Sequence, residues 1–133
     1  MKTTFERTVG EIRKGNLFAT ENSSAFDAAM ELLENGDAGL PVLDRKGRVV
    51  GIVGSADLLR AVRDPRRMEE IRVKEVMTRS PIVIEEGTTL AAASKLMEDA
   101  LVDRLPVVKE GVFIGTVTRH DLLRAWLDVG EFD

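Results

Sequence analysis

The chain has 133 residues, with 19 lysines and arginines against 23 aspartates and glutamates, and a net charge of −4. This length fits one domain, and the lack of cysteine together with a single histidine excludes disulfides, cysteine nucleophiles and multi-histidine metal centres. The acidic balance argues against nonspecific nucleic-acid binding, and the sequence shows neither an apolar run long enough to span a bilayer nor an apolar leader. We therefore expect a cytoplasmic binding protein with no metal site and no membrane or nucleic-acid partner.

The sequence of the first half predicts a strand, a helix, two strands joined by a turn, and a second helix. Apolar residues recur at helical spacing after Ser23-Ser24, where Ser24 and Asp27 have the spacing of a capping box, and Gly36 suits a helix end. Short apolar runs on both sides of a charged turn that ends in Gly47 are typical of two paired strands. The predicted strands thus lie at residues 17–20, 40–43 and 49–53. The predicted helices begin after Ser24 and at Ser55.

The second half predicts the same order of elements. The intervening segment 63–71 is rich in charge and contains Pro65, which breaks the preceding helix, so we expect a solvated connector. The elements after the connector are predicted at residues 82–84, after Thr88-Thr89, at 105–108, at 112–117 and from Arg119.

An internal repeat explains why the two halves match. Residues 51–61 resemble residues 115–125 at an offset of 64, and Leu40-Pro41-Val42 matches Leu105-Pro106-Val107 at an offset of 65. Across residues 9–61 there are 18 identities with the second copy, against roughly three expected by chance. Two copies are too few for a solenoid, so we expect them to pack against each other.

The most informative residues lie where the last strand of each copy meets its last helix. Thr118 and Asp121 have the spacing of a capping box, which is a sufficient structural explanation. The same geometry also suits a nucleotide, because a helix N-terminus attracts phosphate and an aspartate can accept hydrogen bonds from a ribose diol. Arg119 and His120 would add donors, and the second aspartate at Asp57 favours the ligand hypothesis because a cap alone requires only some short polar residue.

These motifs resemble the cystathionine-β-synthase (CBS) domain. The resemblance rests on Gly-x-Val-Thr-x-x-Asp-Leu-Leu after Leu-Pro-Val, and on Met77-Thr78-x-x-Pro81-Ile82 at the start of the second copy. Two tandem copies resemble a Bateman module, which implies an α+β fold of two pseudo-symmetric β-α-β-β-α motifs packed through their sheets. The boundaries implied are 8–62 for the first motif, 63–71 for the linker and 72–127 for the second motif.

The resemblance also implies adenine-nucleotide binding in clefts between the two copies. Phosphate and ribose would be held by Thr118 and Asp121, and adenine by the segment around Leu17, Phe18, Gly39 and Leu40. The second cleft would be formed by Ser55, Asp57, Pro81, Ile82 and Arg104. Arg104 precedes Leu-Pro, where the family often places a phosphate-contacting base; a solvated surface arginine is the alternative.

The two copies differ in ways that predict unequal clefts. Gly54 stands where the second copy has Thr118, so the first helix start lacks a hydroxyl, and Ser55 follows one position late. The first copy also reads Arg13-Lys14-Gly15 in place of the Met-Thr opening. We therefore expect the site with Thr118 and Asp121 to be the better nucleotide site.

The resemblance implies a regulatory module, with no enzyme activity and no cofactor beyond an AMP-like ligand, that acts on a separate regulated protein. Apolar helix residues such as Leu122-Leu123 and Trp126 predict a homodimer with its C-terminal helices at or near the interface. The alternative is a dimerisation or scaffold module without a physiological nucleotide. A nucleotide hydrolase is disfavoured because the sequence offers no evident base and nucleophile, and a lone His120 makes no metal site.

Overall fold

The computed structural model describes residues 6–15 and 17–127, and the chain divides into two compact units. Residues 17–81 form the contiguous unit, and residues 6–15 together with 82–127 form the split unit. The elements in chain order are α1 Val9–Ile12, β1 Ala19–Thr20, α2 Ala25–Asn35, β2 Gly39–Leu43, β3 Val49–Gly54, α3 Ser55–Val62, a 3-10 turn Met68–Glu70, α4 Val73–Val76, β4 Thr78–Arg79, β5 Ile84–Glu85, α5 Leu90–Ala100, β6 Arg104–Lys109, β7 Val112–Thr118 and α6 Arg119–Leu127. The mixed α+β class predicted from the sequence is confirmed.

The contiguous unit is a sheet of order β1-β2-β3-β4 covered by helices. β1 runs parallel to β2, and the other neighbouring strands are antiparallel. Helix α2 begins as predicted, because Asp27 N–H donates to the Ser24 hydroxyl at 3.0 Å, and it ends at Gly36 with φ of 65°. The core of the contiguous unit is apolar and includes Leu40, Val42, Val53 and Ile71.

The split unit repeats this plan with a sheet of order β5-β6-β7. Helix α5 is capped by the hydroxyl of Thr89, which accepts from Ala92 N–H at 3.2 Å. The N-terminal segment joins this unit: Val9 is fully buried in its core, and Val9 N–H donates to Thr88 O at 2.9 Å. Helix α1 also contacts α6.

In each unit, one copy of the repeat forms most of the sheet and the other copy provides the segment at its edge. In the contiguous unit Thr78 of β4 pairs with Ile52 of β3. In the split unit Lys14 forms an isolated bridge with Thr116 of β7. Residues 14 and 78 are separated by the repeat offset of 64, so the two edge segments occupy equivalent positions in the two copies. The compact units therefore divide near residues 16 and 81, whereas the sequence repeats divide in the connector.

The connector is mostly exposed, but its last residue is buried. It ends in Ile71, which is 1% exposed and packs in the core of the contiguous unit. Arg66 bonds both Asp64 and Glu75, at 3.1 and 3.0 Å. The hydrogen bond from Arg72 N–H, followed by that from Arg66, holds the pKa of Glu75 below its ordinary value.

Candidate functional site

The start of α6 contains a complete capping box. Thr118 N–H donates to Asp121 Oδ2 at 2.9 Å, and Asp121 N–H donates to Thr118 Oγ1 at 3.1 Å. The two residues therefore satisfy each other's backbone groups at the helix end. Asp121 is only 7% exposed, so its carboxylate is part of the folded unit as well as of the helix start.

Two cations face the other carboxylate oxygen of Asp121. Arg124, one turn further along α6, donates to Oδ1, and the Lys14 ammonium lies 4.0 Å from the same oxygen. Lys14 comes from the N-terminal segment, so the site combines both stretches of chain that form the split unit. A buried carboxylate requires such partners, because burial without pairing is costly.

The contiguous unit has an equivalent but more neutral arrangement at the start of α3. Gly54 N–H donates to Asp57 Oδ2 at 2.8 Å, while Arg60 and the Thr78 hydroxyl, the latter at 3.4 Å, donate to Oδ1. Gly54 has no side chain, so the second half of a capping box is absent here. Asp57 is 6% exposed, which matches the burial of its counterpart.

The strand that contains Leu-Pro-Val lies directly beside the helix start of its own unit. In the split unit Arg104 is the register partner of Thr118, and Arg119 N–H donates to Asp103 O at 2.9 Å. The side chain of Arg104 is 33% exposed and pairs with Asp103 at 3.3 Å. It is therefore partly buried at the start of α6 and not a fully solvated arginine.

Comparison with known proteins identifies the repeat. A model of the CBS domain family matches residues 9–64 and 73–128. The chain belongs to the CBS domain family. It is a tandem CBS pair, as its internal repeat indicates.

Relatives and solved structures extend this assignment. The protein MJ1404 of Methanocaldococcus jannaschii is 33% identical over 105 residues, and the match covers 78% of this chain and 25% of the relative's length. The crystal structure of CBSX2 in complex with AMP is 32% identical, with a TM-score of 0.78, and the match covers 92% of this chain and 97% of that one. The CBS pair of MJ0100, solved with 5′-methylthioadenosine and S-adenosyl-L-methionine, is 25% identical over 91% of this chain and 96% of that one, with a TM-score of 0.73.

The structure brings five of the predicted site residues together in the split unit. Thr118, Arg119, His120 and Asp121 lie at the start of α6. Arg104, which the family resemblance assigns to the second cleft, lies beside Thr118. His120 is exposed on the first turn of α6. Within the described ranges, 6–15 and 17–127, no group of three histidine, cysteine, aspartate or glutamate side chains could hold a metal ion.

The remaining predicted residues are placed separately. Phe18 is 43% exposed and Ile82 is 41% exposed, which leaves the ring of Phe18 and the side chain of Ile82 accessible. Leu40 is 2% exposed and lies in the core of the contiguous unit. Leu17, Phe18, Gly39, Leu40, Ser55, Asp57 and Pro81 belong to the contiguous unit, and Ile82 and Arg104 belong to the split unit.

The cations that pair with the two aspartates were not predicted from the sequence. Arg60 and Arg124 each follow their aspartate by three residues, a spacing that brings side chains together on a helix. Their recurrence in both copies could have revealed them. Lys14 and Thr78 could not be found in this way, because each reaches the aspartate of the other copy of the repeat.

An open groove with a volume of about 710 Å³ lies between α5 and α6. Its lining is mainly apolar, and Leu123 and Trp126 are 56% and 39% exposed. Trp126 is therefore a groove residue and not part of the closed core. None of the helices within the described residues is long and apolar enough to cross a membrane.

Proposed function

We propose that this CBS pair binds an adenine nucleotide such as AMP at the start of α6 and reports its presence to a separate protein. In this proposal the phosphate lies at the first turn of α6, where the side chains of Thr118, Arg119, His120 and Arg104 are the neighbouring donors, because Arg119 N–H and Asp121 N–H already donate to Asp103 O and Thr118 Oγ1. The ribose hydroxyls donate to Asp121. A helix N-terminus with basic neighbours is a favourable environment for an anion.

The observation that carries the proposal is the buried Asp121 carboxylate surrounded by cations at a helix start. A carboxylate has about four lone-pair positions, and the bonds from Thr118 N–H and Arg124 occupy two of them. Acceptor capacity therefore remains for a ribose diol. The AMP complex of CBSX2, at 32% identity, supports the ligand class.

Each unit also contains residues that the family resemblance assigns to adenine contacts. The ring of Phe18 and the side chain of Ile82 are exposed, and Leu17, Gly39 and Pro81 are partly buried. Ser55 and Asp57 mark a second candidate site at the start of α3. We expect that site to be weaker, because Gly54 provides no hydroxyl to a phosphate.

We further propose a homodimer that is formed through apolar helix faces. Leu59 and Val62 of α3 are 67% and 59% exposed, and α6 presents Leu123 and Trp126. Exposed apolar side chains grouped on a helix are typical of an interaction site. The regulatory effect would then be exerted in trans, without enzyme activity in this chain.

A scaffold without a nucleotide ligand is the second candidate, and one observation favours it. The carboxylate of Asp121 already completes a capping box and an ion pair, which is a full structural role. A thermal-shift series with AMP, ADP, ATP and S-adenosylmethionine distinguishes the two functions. Nucleotide at 100 times its Kd stabilises the folded chain by about 2.7 kcal/mol, whereas a scaffold melts at the same temperature with every ligand at millimolar concentration.

A further inference from the structure

Equivalent positions in the two CBS copies contact the same atom of the two buried aspartates, but with different chemistry. The Lys14 ammonium lies 4.0 Å from Asp121 Oδ1, and the Thr78 hydroxyl donates to Asp57 Oδ1 at 3.4 Å. The two positions are separated by the repeat offset of 64 residues. The place beside the aspartate is therefore occupied by a cation in the split unit and by a neutral hydroxyl in the contiguous unit.

The backbone fixes Lys14 at this place. Lys14 N–H donates to Thr116 O at 2.9 Å, and Thr116 N–H donates to Lys14 O at 3.0 Å. Upstream, Val9 is fully buried in the core of the split unit. The side chain of Lys14 is 41% exposed, so its ammonium can contact both Asp121 and a ligand on the solvent side of it.

The surroundings of the two aspartates differ in charge throughout. At the start of α6 the cations Lys14, Arg104 and Arg124 pair with the carboxylates of Asp103 and Asp121, and Arg119 is exposed on the first turn. The matching positions of the contiguous unit are Thr78, Gly39, Ser55, Arg60, Ala38 and Asp57. One cation there faces one carboxylate, so the start of α3 is close to neutral while the start of α6 is positive.

We propose that Lys14 is a specificity-determining residue that makes the site at α6 select phosphorylated adenosine derivatives over uncharged ones. The inference rests on the proposed function and adds the charge class of its ligand. A phosphate near the α6 N-terminus competes with Asp121 for the Lys14 ammonium, and an uncharged 5′ group does not. Thr78, at the equivalent position, offers no charge for such a selection.

Calorimetry with AMP and with 5′-methylthioadenosine tests the proposal, at low and at moderate salt. The parent should bind AMP more tightly than 5′-methylthioadenosine. Lys14→Thr introduces the residue found at the equivalent position of the other copy. It should weaken AMP binding about five- to ten-fold, as expected for a charged hydrogen bond that is partly screened. The affinity for 5′-methylthioadenosine should change less than about two-fold, and the salt dependence of AMP binding should decrease, because screening acts only on the charged ligand.

Two variants serve as controls. Lys14→Arg keeps the charge and should retain AMP affinity, and Lys95→Thr removes an exposed lysine on α5 that pairs with Asp99 and should bind as the parent does. If Lys14→Thr leaves AMP binding unchanged, or weakens both ligands equally, the role of Lys14 is overturned while nucleotide binding stands. If the parent binds neither ligand at millimolar concentration, the proposed function fails, and the role of Lys14 with it.

Discussion

Asp121 combines a structural role with the proposed ligand role, and these roles can be separated by mutation. Its carboxylate accepts from Thr118 N–H and pairs with Arg124 and Lys14, while the side chain is largely buried. The sequence predicted the capping box, because it depends on residues only three positions apart. The contact with Lys14 could not be predicted, since it depends on how the N-terminal segment folds back on the second copy.

Replacement of Asp121 tests whether the carboxylate contacts ribose. Asp121→Ala should lower stability by about 1 kcal/mol through loss of the cap. It should also weaken AMP binding by about 1.5–3 kcal/mol, which is roughly ten- to a hundred-fold in Kd. Asp121→Asn should retain part of the capping. Melting curves and AMP titrations of each variant measure the two effects separately.

Asp57→Ala is the matched control for this experiment. It removes the equivalent carboxylate, with its bonds to Gly54 N–H and Arg60, and should cost similar stability but less AMP affinity. If Asp121→Ala melts at a lower temperature and yet binds AMP as the parent does, the carboxylate is only a cap.

At the scale of elements, the longer helices and paired strands were predictable and the short edge segments were not. Helices α2 and α5 have apolar periodicity and clear caps, and the two hairpins have charged turns. Helices α1 and α4 have only four residues each, which is too short for a periodic pattern. These two helices matter because the residues that follow them, Lys14 and Thr78, contact the aspartates of the opposite copy.

The docking of α1 is tested by a substitution in the N-terminal segment. A Cβ at Gly10 would lie 2.9 Å from both Cβ and the carbonyl oxygen of Glu86, so Gly10→Ala should displace α1. We expect a loss of about 1–3 kcal/mol, as for an overpacked contact. Lys74, the equivalent residue of the second copy, is exposed, and Lys74→Ala should change stability by less than about 0.5 kcal/mol. Equal unfolding free energies of the two variants in urea would show that α1 tolerates the added methyl group.

For the whole molecule, the repeat predicted two matching copies and the motifs within them predicted the family, and the sequence comparison confirms both. The exchange of edge segments was not predictable, because the repeat gives the same pattern whichever unit each segment joins. The consequence is that residues 6–15 and 82–127 form one compact unit. The site at α6 therefore depends on both ends of the described chain.

Self-association is expected through the apolar helix faces. Leu123→Glu should place a charge in the groove between α5 and α6 and convert a dimer into monomers, because burying an unpaired carboxylate is costly. Val112→Glu introduces the same charge at a 43% exposed position of β7 and should leave the dimer intact. Light scattering at micromolar concentration measures both. A monomeric parent, or a dimeric Leu123→Glu variant, would refute this interface.

The most direct test of the central claim is to follow backbone amide resonances during an AMP titration. If nucleotide binds at the start of α6, the amides of Thr118, Arg119 and Asp121 should shift most, and that of Lys14 should shift with them because Lys14 contacts Asp121. The amides of groove residues away from the helix start, such as Leu101 and Trp126, should move little. Saturable shifts confined to another part of the chain, or no shifts at millimolar AMP, would contradict the proposed site.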